Sequence, residues 1–437
     1  MQIPTQTDRQ IEAVPPLEDI ERILARSGQR SSGSGKRVAF YSHDTLGLGH
    51  LRRTLKIARS VTRMFPEISA LVISGSPDVR LVTSEAGSTS ANKSGIDVVK
   101  LPSVKKLDDE KYGARFLPDD IERIVAVRSE IIAGVIKTFE PHLLLVDHAP
   151  VGMRGELLPA FNWLNQKRGS TELVYGMRDI IDTPERIRSR WRRENIFETL
   201  ENTYDHVFIY GDPRLTPSAE LYALPERVLL KTQYCGYISD KNFHERAPQS
   251  TGTSARKRVV VTIGGGDYYG PEIIGAFLNM LSQHKPRIDF DSVVITGPLL
   301  EPELFKRYKK LAEELPVELH RSVEKIPDLL RSSDALITTA GYNSAVDALS
   351  YANRALMAPR VSMREEQVLR VKALHEIGAV EELDPHNASS EQWFKLVTEL
   401  LQRVDAPLAQ LREEGRIDLD GSIRAASFCG EILDLIK

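Results

Sequence analysis

The chain has 437 residues, and 58 lysines and arginines against 61 aspartates and glutamates give it a formal net charge of −3. This near balance argues against a nucleic-acid partner, which a basic excess would indicate, and the length favours two or three domains. The two cysteines, Cys235 and Cys429, exclude a scaffold of several disulfides and a zinc site built from cysteines. No apolar run approaches the ~20 residues that span a membrane, and no signal peptide opens the chain, so the sequence predicts a cytoplasmic protein.

Residues 1–35 stand apart from the rest of the chain. They hold a short amphipathic stretch with Leu17, Ile20 and Ile23 at helical spacing and end in the polar run SSGSG. We expect a loosely attached arm, and a lid or a partner-binding helix is the alternative.

Short apolar runs then alternate with helical patterns in two blocks, which predicts two α/β halves with parallel sheets. The first block, 36–240, has predicted strands at 38–42, 71–74, 96–101, 143–147, 173–175 and 207–210. A polar linker is predicted at 241–257. The second block, 258–415, has predicted strands at 259–263, 293–296, 317–319, 335–338 and 355–358, and 416–437 predicts a last amphipathic helix. The fold class is therefore α/β, with two doubly wound, Rossmann-like domains that face each other across a cleft.

Ligands of open parallel sheets bind beyond the carboxyl ends of the strands, so the loops that follow strands are the candidate sites. The first such loop is HDTLGLGH, in which Gly47 and Gly49 allow a tight turn and His50 lies at the start of a helix. Backbone amides at a helix start suit an anion, and an imidazole suits a general base. The alternative is a plain turn in which His50 caps a surface helix.

A second glycine-rich turn opens the second block. Gly264, Gly265, Gly266 and Asp267 lie between a predicted strand and a predicted helix, which favours a loop that faces phosphate. The turn matches neither a P-loop nor the dinucleotide fingerprint. A plain strand-to-helix turn is the alternative.

The segment ALITTAGYNSAVD is the richest in candidate side chains. Its predicted strand ends at Gly341, and Asn343 or Ser344 is expected to cap the next helix. Asp347 lies one helical turn further on, and its carboxylate could accept hydrogen bonds from both hydroxyls of a ribose. The alternative is an ordinary solvated aspartate.

Polar residues follow two further strands. Arg360 ends one strand, and Glu366 and Gln367 begin the next helix, where they could bind sugar hydroxyls or form a favourable acidic first turn. Arg178 could bind phosphate through two nitrogens or pair with its neighbour Asp179.

An arginine-rich helix follows Arg178 and carries Trp191. It is expected to be a solvated face, with an anionic acceptor or a membrane surface as the alternative; its arginines are Arg186, Arg188, Arg190, Arg192 and Arg193.

Metal motifs do not stand out. The ten histidines include no HExxH sequence and no histidine–cysteine cluster. Asp108 and Asp109 lie in the charged run LDDEK, which we expect to be a loop with no strand before it. We therefore expect no bound metal and no cofactor.

These motifs together resemble a known family. The order GxGH, GGG, AGYNSxxD and REEQxxR resembles the two-domain GT-B glycosyltransferases, above all the branch that contains the N-acetylglucosaminyl transferase MurG. The segments YSHDTLGLGHLRR, GMRDIID and YDHVFIYGDPR are similar to a group described only as predicted glycosyltransferases. The resemblance covers residues 37–436. The GxGH motif also occurs in nucleotide-sugar hydrolases of this fold.

The resemblance implies roles for the residues that match. It places His50 near the acceptor and the donor phosphate, and in the mechanism that this suggests either His50 or a neighbour such as Asp44 helps to remove the acceptor proton. It places Gly264–Gly266 over the diphosphate of the donor, Asp347 on its ribose, and Glu366 and Gln367 on its sugar. The last helix would cross back onto the first domain.

The function that follows is transfer of a sugar, without a metal and with inversion, from a nucleoside diphosphate sugar to an acceptor hydroxyl, and UDP is the nucleotide we expect. The expected partners are thus a nucleotide sugar as substrate and an acceptor that the sequence does not name. The expected diphosphate-binding residues are Gly47, Gly49, Arg178, Gly264, Gly265, Gly266 and Asp267. The expected nucleoside- and sugar-binding residues are Gly341, Asn343, Ser344, Asp347, Arg360, Glu366 and Gln367. A nucleotide-sugar hydrolase or epimerase, or a non-catalytic nucleotide-sugar-binding protein, are the alternatives.

Overall fold

The computed structural model describes residues 35–43, 49–77, 95–108, 111–167, 169–240, 256–265, 270–360 and 365–436. The predicted arm, apart from Gly35, and nearly all of the predicted linker lie outside these residues. Within them, strands and helices alternate along the chain as the apolar periodicity predicts.

The first half is built on a parallel sheet. The strands of this half are β1 (Arg37–Ser42), β2 (Ser69–Ser74), β3 (Ile96–Lys100), β4 (Val104–Asp108), β5 (Lys111–Ala114), β6 (Leu143–Asp147), β7 (Glu172–Arg178), β8 (His206–Tyr210) and β9 (Thr232–Tyr234). Seven of them form one sheet in the order β3-β2-β1-β6-β7-β8-β9. Strand β6, with the sequence LLLVD, is buried along its whole length, as a strand needs to be when helices cover both faces of a parallel sheet.

The second half repeats this plan. Its strands are β10 (Lys257–Thr262), β11 (Phe290–Ile295), β12 (Val317–His320), β13 (Ala335–Thr339), β14 (Ala355–Ala358) and β15 (Glu381–Glu382). They form a parallel sheet in the order β12-β11-β10-β13-β14-β15. The predicted fold class of two doubly wound α/β domains is confirmed.

Helices connect the strands. In the first half they are α1 (Gly49–Met64), α2 (Ile121–Phe139), α3 (Leu158–Lys167), α4 (Pro184–Arg193), α5 (Ile196–Asn202), α6 (Ser218–Leu221) and α7 (Glu226–Leu229). In the second half they are α8 (Gly270–Gln283), α9 (Pro302–Ala312), α10 (Ile326–Arg331), α11 (Tyr342–Tyr351), α12 (Glu366–Glu376), α13 (Ser390–Gln402), α14 (Pro407–Glu413) and α15 (Gly421–Ile432).

One prediction about the first half is wrong. The charged run around Asp108 is not a loop without a strand before it, because Asp108 ends β4, which pairs with β5 in a separate antiparallel hairpin. The sequence of β4, VKKLD, has no continuous apolar run, so it lacks the pattern of a strand buried in a parallel sheet. Asp109 lies outside the described residues.

Each sheet reverses its strand order at one point. The reversal falls between β1 and β6 in the first sheet and between β10 and β13 in the second. Loops that leave the carboxyl ends of two such strands run in opposite directions and open a crevice between them. The candidate loops at His43–His50 and at Gly264–Gly265 each leave the sheet at one of these points.

The two halves share a core. The last helix, α15, packs along α1 of the first half, and α11 of the second half also touches α1. Leu55, Ala58, Val346 and Cys429 belong to one apolar cluster that runs through both halves. Gly430 of α15 lies against the ring of Phe65, because a Cβ atom built there would come within 2.3 Å of a ring carbon.

Two helix glycines test this packing. Gly430→Ala should destabilise the protein by about 1–3 kcal/mol, because its methyl group must displace Phe65. Gly134→Ala in α2 is the matched control: nothing lies within 4 Å of its added Cβ, so it should stabilise by about 0.5–1 kcal/mol. Urea unfolding of both variants measures the difference. Equal effects at the two positions would contradict the packing of α15 on α1.

Candidate functional site

A buried ion pair lies at the reversal point of the first sheet. Asp147 is the last residue of β6, and its carboxylate accepts hydrogen bonds from Arg53 of α1, at 2.9 Å from Nε and 2.7 Å from Nη2. Both side chains are almost fully buried. A carboxylate in such a place stays charged only when a cation and hydrogen bonds compensate for the lost water. Arg53 supplies both and ties α1 to β6.

His50 shares this carboxylate. Its Nδ1 atom lies 2.6 Å from Oδ2 of Asp147 and 2.9 Å from Nη2 of Arg53. An ionised carboxylate can only accept a hydrogen bond, so the shorter contact requires a proton on Nδ1. The other ring nitrogen, Nε2, then carries a lone pair. Such a histidine is arranged as a general base that a carboxylate orients.

The pKa values agree with this arrangement. Burial lowers the pKa of His50 below its usual 6.5, and Asp147 offsets this only in part. Burial alone would raise the pKa of Asp147, but the positive charge of Arg53 and the contacts with His50 outweigh it and lower this pKa to about 2. At neutral pH the pair is therefore a neutral imidazole beside a carboxylate anion.

Two further histidines surround His50. The ring of His148 stacks on that of His50, with centroids 5.0 Å apart and an interplanar angle of 30°. The ring of His43 meets His50 edge-on at 5.8 Å. Neither His148 nor His43 was a sequence candidate, because nothing in their spacing sets them apart. Asp147 was missed for the same reason.

The glycine turn of the second half lies beside α11. Gly264 has a φ of 72°, which glycine adopts without strain, and a Cβ atom there would lie 3.3 Å from Oγ of Ser344. The backbone oxygen of Gly265 accepts a hydrogen bond from the amide of Leu299 at 3.0 Å. Turn and helix start therefore lie next to each other, as a diphosphate site would need.

The expected cap of α11 is wrong. Gly341 occupies the capping position and makes no side-chain cap. Asn343 instead donates to the backbone oxygen of Gly49 at 2.9 Å, and Ser344 accepts from Thr339 at 3.3 Å. Both side chains bond elsewhere, so neither of them caps the first amides of α11.

The Asn343–Gly49 contact has a consequence for the site as a whole. Gly49 directly precedes His50, and Asn343 lies in the first turn of the helix that follows β13. One hydrogen bond thus joins the segment that carries His50 to the start of α11, where the second half has its predicted donor-binding residues.

Two ion pairs join the end of β7 and the residue that follows it to α12. Asp179 pairs with Arg370 through two hydrogen bonds of 2.8 and 2.7 Å, and both side chains are fully buried. Arg178 donates to Glu366 at 3.1 Å. The alternative that Arg178 and Asp179 pair with each other is therefore wrong. Each reaches across to the second half instead.

Arg370 also holds the loop before α11. Its Nη1 atom donates to the backbone oxygen of Ala340 at 2.7 Å. The sequence motif REEQxxR included Arg370, but neither the spacing nor the charge of this residue indicated a structural or binding role. Its partner Asp179 lies 191 positions away in the chain, which is why periodicity could not pair them.

The remaining sugar-site candidates lie together. Glu366 also lies 3.7 Å from Arg360, and Gln367 accepts from the backbone amide of Arg360 at 3.1 Å. A Cβ atom on Gly341 would lie 3.9 Å from the amide nitrogen of Gln367. A small cleft opens beside them, lined by Arg360 and by Thr339 at the end of β13.

Asp347 lies at the boundary between the halves. Its carboxylate is 3.5 Å from Arg52 and 3.6 Å from Lys56, both on α1. Lys56 also reaches Asp240 at 3.4 Å. A ribose hydroxyl would have to share Asp347 with these cations, so its nucleoside role stays a prediction.

Some predicted residues lie outside the described ones. They are Asp44, Gly47, Gly266 and Asp267. In the arginine-rich helix α4, Trp191 is buried and packs against Phe197, so this tryptophan is not a surface aromatic that could meet a membrane.

Two kinds of feature are absent from the described ranges. Among those residues no group of three or more histidines, cysteines, aspartates or glutamates is placed to hold a metal ion. None of the described helices combines the length and apolar character that crossing a membrane requires.

Comparison with known proteins agrees with this architecture. No protein-family model matches the chain. A curated relative from Methanosarcina mazei, named only as an uncharacterized glycosyltransferase, is 24% identical over 336 residues, which cover 74% of this chain and 79% of the relative.

Several solved structures share the fold over nearly the whole chain. Acinetobacter baumannii MurG superposes with a TM-score of 0.55 at 10% identity, covering 91% of this chain and 99% of its own. LpCGTa, solved in complex with UDP, gives 0.59 at 15%, covering 91% and 99%. A Listeria monocytogenes protein named as a UDP-N-acetylglucosamine 2-epimerase gives 0.59 at 10%, covering 92% and 96%.

The chain has the GT-B fold, and its resemblance to MurG-like GT-B glycosyltransferases is confirmed. Glycosyltransferases are thus what it is similar to in both sequence and fold.

Replacing Asp147 by Asn tests the ion pair. At pH 7 the variant should lose about 3–5 kcal/mol of stability, because Arg53 stays buried without its carboxylate. The lowered pKa of Asp147 stabilises the wild type fully above about pH 5, and this stabilisation disappears as the pH falls towards 2. The difference in free energy of unfolding between wild type and variant should therefore decrease by about 1 kcal/mol between pH 5 and pH 3.

Urea unfolding midpoints at pH 7, 5 and 3 measure this difference. Asp291→Asn is the control, because Asp291 is half exposed and pairs only at the surface with Arg256, so its loss should cost less than about 1 kcal/mol. If the stability difference between wild type and Asp147→Asn stays constant with pH, the lowered pKa of Asp147 is contradicted.

Proposed function

We propose that the protein is a glycosyltransferase that moves a sugar from a UDP-sugar to an acceptor hydroxyl, with inversion at the anomeric carbon. One observation carries the proposal: the residue that precedes an imidazole oriented by a buried carboxylate is hydrogen-bonded to the first turn of α11, and the same turn of α11 lies against Gly264 of the glycine turn. The hydrogen bond is the one between Asn343 and Gly49. A base and a place for a leaving diphosphate are the two parts that this transfer needs.

In the proposed mechanism His50 acts as the base. Nε2 takes the proton of the acceptor hydroxyl while the hydroxyl oxygen attacks the anomeric carbon and the bond to the diphosphate breaks. Asp147 remains ionised and stabilises the imidazolium that forms. Attack from the face opposite the leaving group inverts the configuration. A base positioned in this way contributes about 10²–10⁴-fold to the rate.

Residues of the second half stabilise the leaving diphosphate in this mechanism. Amides at the start of α11 and of the Gly264–Gly265 turn supply fixed dipoles where negative charge develops. Arg178 adds a cation once Glu366 releases it, and the freed carboxylate of Glu366 can then accept hydrogen bonds from sugar hydroxyls. These groups account for the charge without a metal, and we include metal independence in the proposal.

UDP is proposed as the nucleotide because solved structures of this fold are named with it. LpCGTa was solved with UDP, and the Listeria protein is named for a UDP-sugar. That second name also supports an alternative function, an epimerase or hydrolase that acts on the same donor. The products distinguish the alternatives: an epimerised sugar nucleotide, a free sugar, or a glycosylated acceptor.

Nucleotide binding is the first test. Calorimetry with UDP should show binding, and Asp347→Asn should weaken it at least about tenfold, because charged hydrogen bonds to the ribose, worth ~1.5–3 kcal/mol, are lost. Asp291→Asn on β11 is the matched control and should bind UDP as the wild type does. If Asp347→Asn leaves the affinity unchanged, Asp347 serves only to hold Arg52 and Lys56 and the ribose role is wrong.

Replacement of the base is the second test. His50→Ala should bind UDP within about twofold of wild type yet lose at least ~100-fold in sugar transfer. The assay follows label from a panel of radiolabelled UDP-sugars, with and without candidate acceptors, by chromatography of the products. His375→Ala is the control, since His375 is half exposed on α12. Undiminished transfer by His50→Ala would rule out His50 as the base.

A further inference from the structure

His148 combines an unusual backbone with a ring contact at the centre of the site. It follows Asp147 directly and has a φ of 68°, in the left-handed region that favours glycine. Two hydrogen bonds from β7 hold this conformation. The amide of His148 donates to the oxygen of Gly176 at 2.8 Å, and its carbonyl accepts from the hydroxyl of Tyr175 at 2.9 Å.

A glycine would adopt this backbone at less cost than histidine. A left-handed conformation costs a residue with a side chain roughly 1–2 kcal/mol, and such strain persists where surrounding structure imposes it, often at functional sites. The presence of histidine rather than glycine at position 148 therefore requires an explanation. The ring contact with His50 provides this explanation. The left-handed conformation of the residue after Asp147 places the His148 imidazole over the ring of His50.

The stacking geometry restricts His50. With centroids 5.0 Å apart and planes inclined by 30°, the ring of His148 covers one face of the base, while His43 meets it edge-on. A rotation of His50 about its side chain that turned Nδ1 away from Asp147 would have to displace His148. The ring thus opposes the movement that would exchange the two nitrogens.

We propose that His148 is a positioning residue that stacks on His50 and keeps its Nδ1 on Asp147, so that Nε2 remains the nitrogen that receives the acceptor proton. The naming of His50 as the base rests on the proposed function, whereas the packing of the two rings does not. The proposal adds to the carboxylate–histidine pair a third residue that acts through His50 and needs no contact with substrate.

Several other titratable groups surround His50 and influence its pKa. The groups that face it from the elements packed against it are Asp147 on β6, Arg53 on α1, Arg178 on β7, His43 after β1, and His148 itself. A test of His148 therefore has to separate the packing of its ring from its charge. Phenylalanine keeps a flat ring and carries no charge, and glycine removes the ring and suits the backbone.

The experiment follows His50 by NMR in the full-length protein labelled with ¹⁵N-histidine, with the signal assigned through His50→Gln. In wild type we expect one tautomer, protonated at Nδ1, and a titration midpoint below 6.5. In His148→Gly the Nε2-protonated tautomer should appear and the midpoint should rise towards 6.5 or above. His148→Phe should keep the wild-type tautomer and midpoint.

A second measurement excludes general damage. His148→Gly should melt at or above the wild-type temperature, because glycine relieves the backbone. Glu140→Gly, at a left-handed residue that ends α2, is the matched control and should leave the His50 signal unchanged. If His148→Gly leaves the tautomer and midpoint unchanged, or if His148→Phe behaves like His148→Gly, the positioning role is overturned. These results need no substrate, so they stand apart from any failure of the glycosyltransferase proposal.

Discussion

The site depends on one buried negative charge. Asp147 ends a strand that is covered on both faces, and its carboxylate remains ionised there only because Arg53 binds it through two nitrogens. The same carboxylate requires a proton on Nδ1 of His50 and so decides which ring nitrogen is a base. One compensated charge thereby attaches α1 to β6 and fixes which nitrogen of the His50 ring carries the proton.

A second pair of buried, mutually compensating charges joins the two halves. Asp179 and Arg370 are a second fully buried pair, and Arg370 also holds the oxygen of Ala340 just before α11. Breaking either buried pair would leave an uncompensated charge, which costs more than the pair itself contributes. The pair between Arg178 and Glu366 is less enclosed, so under the proposed function it is the pair that a donor would exchange, while Arg370 holds the loop before α11 in place.

Apolar periodicity was enough to predict the α/β class and most strands, because each strand of a parallel sheet is a short continuous apolar run. It missed β4 and β5, whose alternating and charged residues form a hairpin outside the main sheets, and the short edge strands β9 and β15. Glycines after strands led to His50, but Asp147 and His148 carry no local signal. Their place beside His50 follows from the neighbouring positions of β1 and β6 in the sheet, and His50 and Asp147 themselves are 97 residues apart in the chain. Only the strand order brings these residues together, and periodicity does not contain that order.

The central claim is that both reversal points build one site, with a nucleotide on the second sheet opposite the base on the first. A crystal structure of the protein with UDP tests it most directly. The account predicts the diphosphate over the Gly264–Gly265 turn and the start of α11, with Nε2 of His50 facing it across the cleft and Glu366 released from Arg178. UDP bound at another surface, or bound here with the ring of His50 turned away from the cleft, would contradict it.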